Sequence, residues 1–261
     1  MDYPEGVVVI LKIIGVIPAR YQSSRFPGKP LADICGKPMI WWVYQSMKRA
    51  RGIDEAYVAT DSDIIGKECE KWSIPWIITS DSCPTHLERL YEVSTKLDAD
   101  YYICVNGDEP LMESRCIEDM IPGNDINPES GYFANGMMNL IDPIDAYDTS
   151  KIKIATDMMG YGLYMSRTPI PFPKGRSDFK LKKFVGVQCF TKRALQFVND
   201  TPRGYLESIE DIDEFRFIEN GFRVKFILTE ATTLSVDTPK DLDKVRSIIK
   251  QKIESGELII D

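Results

Sequence analysis

Val16-Ile-Pro18-Ala19-Arg20-Tyr21-Gln22-Ser23-Ser24-Arg25-Phe26-Pro27-Gly28-Lys29-Pro30-Leu31, preceded by the apolar pair Ile13-Ile14, decides how the chain is read. A buried strand breaks at Pro18 into a loop that carries Arg20, Ser23, Ser24, Arg25, Gly28 and Lys29. Three cations and many backbone N–H donors therefore gather at one strand end. In an open α/β sheet that is where ligands bind, and such a loop suits a triphosphate. The Gly-x-x-x-x-Gly-Lys-Ser/Thr spacing of a Walker loop is missing, and so is a Gly-x-Gly-x-x-Gly dinucleotide turn. The competing reading is a solvated basic loop after a core strand, but three cations, two hydroxyls and two prolines in one connection exceed what solubility requires.

A chain of 261 residues can bury the core of one large domain, or of a domain with a lobe. The net charge of −8 argues against nucleic acid or an anionic membrane as partner, because both reward a basic face. Local cations on an acidic protein point instead to a small anionic ligand. Cys35, Cys69, Cys83, Cys104, Cys116 and Cys189 form no Cys-x-x-Cys pair and join no His cluster, which argues against zinc. They read as reduced thiols of a cytoplasmic protein. The apolar run at residues 7–11 resembles a weak signal sequence, yet it lacks a basic start and a cleavage site. No stretch approaches the roughly 20 apolar residues of a membrane span.

Strand and helix signals then alternate. Residues 38–49 read as a helix with Pro38 near its first turn, and Trp41 and Trp42 read as core. Strands are expected at 56–60, 75–79 and 101–105. Helices are expected at 63–72 and 85–96, the second with Thr85 and Glu88 in capping-box spacing. Alternation of this kind implies right-handed crossovers and a doubly wound, mostly parallel α/β sheet. Beyond Pro122, residues 123–131 read as a loop. Strands follow at 132–140, 151–155, 162–166 and 185–190. Residues 174–183 read as a basic loop or hairpin, 192–199 as a helix, and 205–219 as one acidic helix. A strand at 223–228 and a helix at 238–251 close the chain. The expected organisation is a single domain over 1–261: a nucleotide-binding core at about 12–122 and 222–261, and a smaller lobe at about 123–221.

The strongest chemical signal after the first loop is Asp108 in Asn106-Gly107-Asp108-Glu109-Pro110, directly after the apolar strand 101–105. A carboxylate at a strand end, beside a glycine that admits a ligand, is a hard oxygen donor suited to Mg²⁺ on phosphates. Asp237, between an apolar segment and the last helix, is its expected partner, though it could equally cap that helix. His86 falls in the first turn of a helix and, as a lone histidine, reads as structural.

Pro18-Ala-Arg20-x-x-Ser23-Ser24-Arg25-x-Pro27-Gly28-Lys29-Pro30-Leu31 and Gly36-Lys37-Pro38-Met39-Ile40 resemble the opening of the bacterial CMP-Kdo synthetases, the 3-deoxy-manno-octulosonate cytidylyltransferases. The likeness continues in Val58-Ala-Thr60-Asp61, Val105-Asn106-Gly107-Asp108-Glu109-Pro110, Tyr161-Gly-Leu-Tyr164-Met-Ser166-Arg167-x-x-Ile170-Pro171 and Val236-Asp237-Thr238-Pro239-x-Asp241-Leu242. It implies a nucleotide-diphospho-sugar transferase fold, a homodimer formed through the second lobe, and a role in making lipopolysaccharide or capsule. Residues 132–140 and 184–190 could supply the dimer surface or could equally be core. The likeness also implies CMP transfer from CTP to the anomeric hydroxyl of Kdo or a similar acidic sugar, with Mg²⁺ on Asp108 and Asp237. Arg20, Arg25 and Lys29 would then balance the triphosphate and the departing pyrophosphate. Ala19, Arg20, Thr60, Asp61 and residues 80–85 become candidates for contact with the cytosine and Arg167 for clamping the sugar carboxylate, while Ser23 and Ser24, hydroxyls of the first loop, are candidates for substrate binding.

The departures concern the sugar. The family's His-x-Ser-Gly-Thr-Glu-Arg stands here as Cys83-Pro84-Thr85-His86-Leu87-Glu88-Arg89. Its sugar-facing histidine two residues before a glycine is Phe184, the tyrosines of that strand give way to Gln188-Cys189-Phe190, its Glu-Gln pair is Asp213-Glu214, and the Gln of its Gln-Gly-Asp-Glu-Pro is Asn106. Substrate-contacting positions by this resemblance are therefore Asn106, Phe184, Gln188, Asp213 and Glu214. Two neighbouring carboxylates where an acid and an amide are usual favour a donor-rich group. An amino-substituted Kdo, a nonulosonate or a phosphonate is the alternative acceptor.

Overall fold

Every second residue of the first strand faces the same side, and the two sides are both apolar, so this strand must be covered on both faces. A computed structural model describes residues 11–22, 26–123, 126–175, 179–230 and 233–258, and shows that arrangement. Ile13 and Ile17 of β1 (Ile13–Ala19) pack into one hydrophobic cluster, Ile14 and Val16 into another. Tyr101, Ile103 and Val105 of β6 (Tyr101–Val105) join the first cluster, Tyr102 and Cys104 the second.

The first part of the chain runs through β1, a short hairpin of β2 (Asp33–Ile34) and β3 (Lys37–Pro38), α1 (Met39–Arg49), β4 (Glu55–Thr60), α2 (Asp63–Lys71), β5 (Trp76–Ile78), α3 (His86–Lys96), β6 and α4 (Ser114–Glu118). It continues with β7 (Phe133–Asn139), β8 (Lys153–Thr156), β9 (Gly162–Ser166), β10 (Lys182–Thr191), α5 (Lys192–Asp200), α6 (Tyr205–Glu210), α7 (Phe215–Glu219), β11 (Val224–Leu228) and α8 (Pro239–Glu254). The main sheet has the order β11-β7-β10-β6-β1-β4-β5, with β8 and β9 attached beside β10. Along that path only β10 runs against the rest, so the fold is α/β with a mostly parallel sheet, as the alternation predicts. Helices α1 and α8 supply Val43, Met47, Val245 and Ile249 to one face; α3 and α5 supply Leu90, Val93, Leu195 and Val198 to the other. Trp41 and Trp42 are buried, with the Trp42 indole N–H donating to the Ile34 carbonyl at 3.0 Å.

Local chemistry sets the helix starts. Thr85 caps α3 in a capping box with Glu88, and Thr238 caps α8 in another with Asp241. The six cysteines carry free thiols. No helix among the described residues is long and apolar enough to cross a membrane.

Three points depart from the expectations or resolve what they left open. Residues 205–219 do not form one helix: Asp211 adopts the left-handed conformation, φ 52°, and ends α6. The Glu219 carboxylate of α7 accepts the backbone N–H groups of Leu206 and Glu207 at 2.8 and 3.1 Å, which folds α7 back over the start of α6. The segments 132–140 and 184–190, open between surface and core in the sequence, are core: both pair inside the main sheet between β11 and β6. Finally, α4 and β2 lie outside every expected element, and β3 ends on Pro38, where the first helix is expected to begin; that helix begins at Met39. The expectation for residues 7–11 lies outside the described residues, apart from Leu11.

Candidate active site

The turn after β1 is shaped by Gly28, which has φ 68° and thus a backbone that most side chains disfavour. Its N–H donates to the Tyr21 carbonyl at 2.9 Å, closing the loop and presenting Lys29. The second wall of the turn is the loop after β6. A Cβ on Gly107 would lie 2.7 Å from the Pro18 carbonyl oxygen, so only glycine lets these two strand ends approach so closely. Asp108 follows at once. Its carbonyl accepts the Val236 N–H at 2.9 Å, and this single bond brings Asp237 alongside. Thr238, not Asp237, is the N-cap of α8.

Lys29 Nζ consequently lies 2.6 Å from Asp108 Oδ2 and 3.8 Å from Asp237 Oδ1. Behind them, Glu109 is buried and accepts a hydrogen bond from the Thr233 hydroxyl. Burial, with the charge of Asp108, pushes the Glu109 carboxyl up to about 7. The two aspartates suit a divalent cation: both are carboxylates, both remain partly open to solvent, and both already face the same ammonium. Among the described residues no group of three or more His, Cys, Asp or Glu could hold a metal. A pair of carboxylates is nonetheless enough for magnesium, which takes one or two from the protein and completes its shell with phosphates and water.

Lys29, Gly107, Asp108 and Asp237 line a cleft of about 410 Å³. The far wall is built from the start of α3, from Phe184 on β10 and from the turn between α6 and α7. His86 stands there with Nδ1 3.1 Å from Asp213 Oδ2 and Nε2 2.8 Å from Gln188 Oε1. The other end of that amide, Gln188 Nε2, donates to Glu214 Oε1 at 2.7 Å. Asp213 and the Gln188 carbonyl oxygen thus each face one ring nitrogen, an arrangement that favours the imidazolium. Burial opposes its charge, but the hydrogen bond and charge of Asp213 outweigh burial and raise the His86 pKa. Burial likewise works against the Asp213 carboxylate, and His86 reverses it, lowering Asp213. For Glu214 burial first, then Asp213, outweigh the opposing charge of His86 and push it up to about 7.

Of the expected site residues, Ala19, Arg20, Lys29, Asn106, Asp108, Phe184, Asp213, Glu214 and Asp237 line this cleft. Gln188 sits directly behind it through His86 and Glu214. Thr60 and Asp61 are not in its lining: the Thr60 hydroxyl accepts from Ser62 N, and Asp61 pairs with Arg89 at 2.8 Å. Ser23, Ser24 and Arg25 lie outside the described residues. Arg167 stands against Asp211, which lines the cleft. Its Nε, Nη1 and Nη2 donate to the carbonyls of Glu210, Thr149 and Asp211 at 2.6, 3.0 and 2.9 Å, and it is absent from the cleft lining. His86 is likewise no isolated structural histidine. Sequence reading missed Arg89, Arg203 and Asp211 in the cleft, because only the fold-back of α7 on α6 brings the last two there.

Residues 14–230 match the family model described as Cytidylyltransferase. The 3-deoxy-manno-octulosonate cytidylyltransferase of Escherichia coli is 34% identical over 242 residues, covering 93% of this chain and 98% of that protein. The 8-amino-3,8-dideoxy-manno-octulosonate cytidylyltransferase of Shewanella sp. (strain W3-18-1) is 35% identical over 249 residues, covering 94% and 100%. A solved CMP:2-keto-3-deoxy-manno-octonic acid synthetase in complex with CTP superposes with a TM-score of 0.86 at 34% identity, covering 92% of this chain and 99% of that one. The sheet, the strand-end cleft and these matches agree: the chain belongs to the cytidylyltransferase family and is a nucleotidyltransferase enzyme.

Proposed function

We propose that the enzyme transfers CMP from CTP to the anomeric hydroxyl of a Kdo-like 3-deoxy-ulosonic acid and releases pyrophosphate, with magnesium held by Asp108 and Asp237. The observation that carries this reading is Lys29 between those two aspartates at the strand-end turn. Transfer at phosphorus asks the protein chiefly for positioning and charge neutralisation. Arg20 lines the cleft, is exposed and makes no hydrogen bond or ion pair with the described residues, so it is available to the phosphates. Lys29 exchanges its aspartate contacts for the anionic oxygens of the nucleotide and of the leaving pyrophosphate. Gly107 lets the α-phosphate approach the backbone beside Asp108. Bound magnesium would polarise the α-phosphate and acidify the attacking hydroxyl.

The acceptor faces the second wall. Asp213 is matched there by His86, and Glu214 by an amide, so the pair offers less free negative charge than its sequence suggests. That supports an acceptor in the Kdo class over one that needs a strongly anionic pocket, and the amino-substituted sugar is the alternative to compare. We further propose a homodimer, supported by Ile141, Ile144 and Tyr147, which stand more than three-quarters exposed within one short stretch. The test is pyrophosphate release from CTP and Mg²⁺ with Kdo, 8-amino-Kdo and a nonulosonate side by side. Turnover with a 3-deoxy-octulosonate is expected; silence with every acid would overturn the reading.

A further inference from the structure

The second wall still leaves an electrostatic problem for an acidic acceptor: His86 matches Asp213 and an amide meets Glu214, but the exposed Asp211 borders the cleft as well. A carboxylate brought there is repelled unless a cation with spare donors meets it. The cations near that wall are mostly committed. His86 has a partner at each nitrogen. Arg89 is buried, with Nη1 on Thr79 and Nη2 on Asp61. Arg167 is not in the cleft lining, and its Nε, Nη1 and Nη2 are taken up by the carbonyls of Glu210, Thr149 and the cleft-lining Asp211.

Arg203 differs. It lines the cleft with its side chain 40% exposed, and its Nη1 makes no hydrogen bond to the described residues. Its other contacts are dispensable. Nη2 reaches Asp211 at 3.3 Å, and that aspartate is itself well exposed. Nε reaches the fully buried Glu207 at 3.1 Å, yet Glu207 is already held by Arg216 through Nε at 3.0 Å and Nη2 at 2.6 Å. Arg203 can therefore turn toward a ligand without stranding a buried charge.

Resting on the reading that the acceptor is an acid, we propose that Arg203 binds the acceptor's carboxylate and so sets the enzyme's preference for acidic sugars. A guanidinium offers a planar pair of N–H groups matched to a carboxylate, which a lysine cannot reproduce. Arg203's partners, Glu207 and Asp211, are not among the residues assigned to the nucleotide.

The experiment measures steady-state kinetics of wild type, Arg203→Ala, Arg203→Lys and Arg167→Ala with CTP and Kdo, and repeats them with the C1 carboxamide of Kdo. In Arg203→Ala the KM for Kdo rises about 10- to 100-fold while the KM for CTP and the melting temperature stay near wild type. Arg203→Lys recovers part of that loss. The carboxamide discriminates further: it is a poorer acceptor than Kdo for wild type, but Arg203→Ala no longer distinguishes the two. An unchanged KM for Kdo in Arg203→Ala, an equal rise in the KM for CTP, or selective loss of Kdo binding in Arg167→Ala overturns the proposal. Should the functional reading itself be wrong, wild type releases no pyrophosphate at all, a result distinct from each of these.

Discussion

Replacing Glu214 by glutamine tests the electrostatics of the acceptor wall. Glu214 is 3% exposed and its carboxyl is pushed up to about 7 by burial and by Asp213. Its unfolded value is near 4.5. Because the folded value is the higher one, the stabilising contribution is complete below about 4.5 and is lost as pH rises through about 7. At ~1.4 kcal/mol per unit, the buried carboxylate lowers wild-type stability by about 3 kcal/mol at pH 8 relative to acid. The substituted amide cannot ionise, and its carbonyl still accepts from Gln188 Nε2. Any penalty for the new amide N–H groups is the same at every pH, so it cancels when two pH values are compared. Urea denaturation of both proteins at about pH 5 and pH 8 should show Glu214→Gln gaining about 2 to 3 kcal/mol on wild type between the two, several degrees in melting temperature. A difference that does not vary with pH, or that grows toward acid, would refute the reasoning.

Asp108→Asn and Lys29→Ala should each lose about 3 kcal/mol of transition-state stabilisation, a hundredfold or more in kcat/KM, with melting temperature retained; pyrophosphate assays near wild type would remove both from the chemistry. Gly107→Ala places a methyl against the Pro18 carbonyl, which cannot swing aside, so the strand ends part and kcat should drop about 100-fold. Kinetics and circular dichroism on that variant separate displacement from unfolding. Ile144→Asp with Tyr147→Asp should convert a dimer to monomer in light scattering, and a mass unchanged by the substitutions would exclude this surface.

Legibility in the sequence followed the range of the interactions. β6 and Asp108 were readable because a continuous apolar run followed by Asn106-Gly107-Asp108 is a local signal, and a sheet buried on both faces needs such runs. The caps at Thr85 and Thr238 were readable for the same reason. Strand order was not: β10 enters antiparallel between β6 and β7, and β11 returns beside β7, pairings that no local pattern encodes. The acceptor wall was only half readable. Asp213 and Glu214 could be aligned to a known motif, but the left-handed Asp211 and the folding of α7 onto α6 decide that Arg203 faces the cleft. For Arg167 the sequence shows the cation but not its surroundings, where the carbonyls of Thr149, Glu210 and Asp211 accept from its guanidinium.

The hydrogen bond from Val236 to the Asp108 carbonyl has a consequence for biosynthesis. Asp237 is translated after every strand of the sheet, so a nascent chain can assemble its whole scaffold and its cationic turn while still lacking the second acid. Such a precursor would be catalytically silent. On the proposed assignment of Asp237 to the metal, competence would come last, with the docking of the final helix.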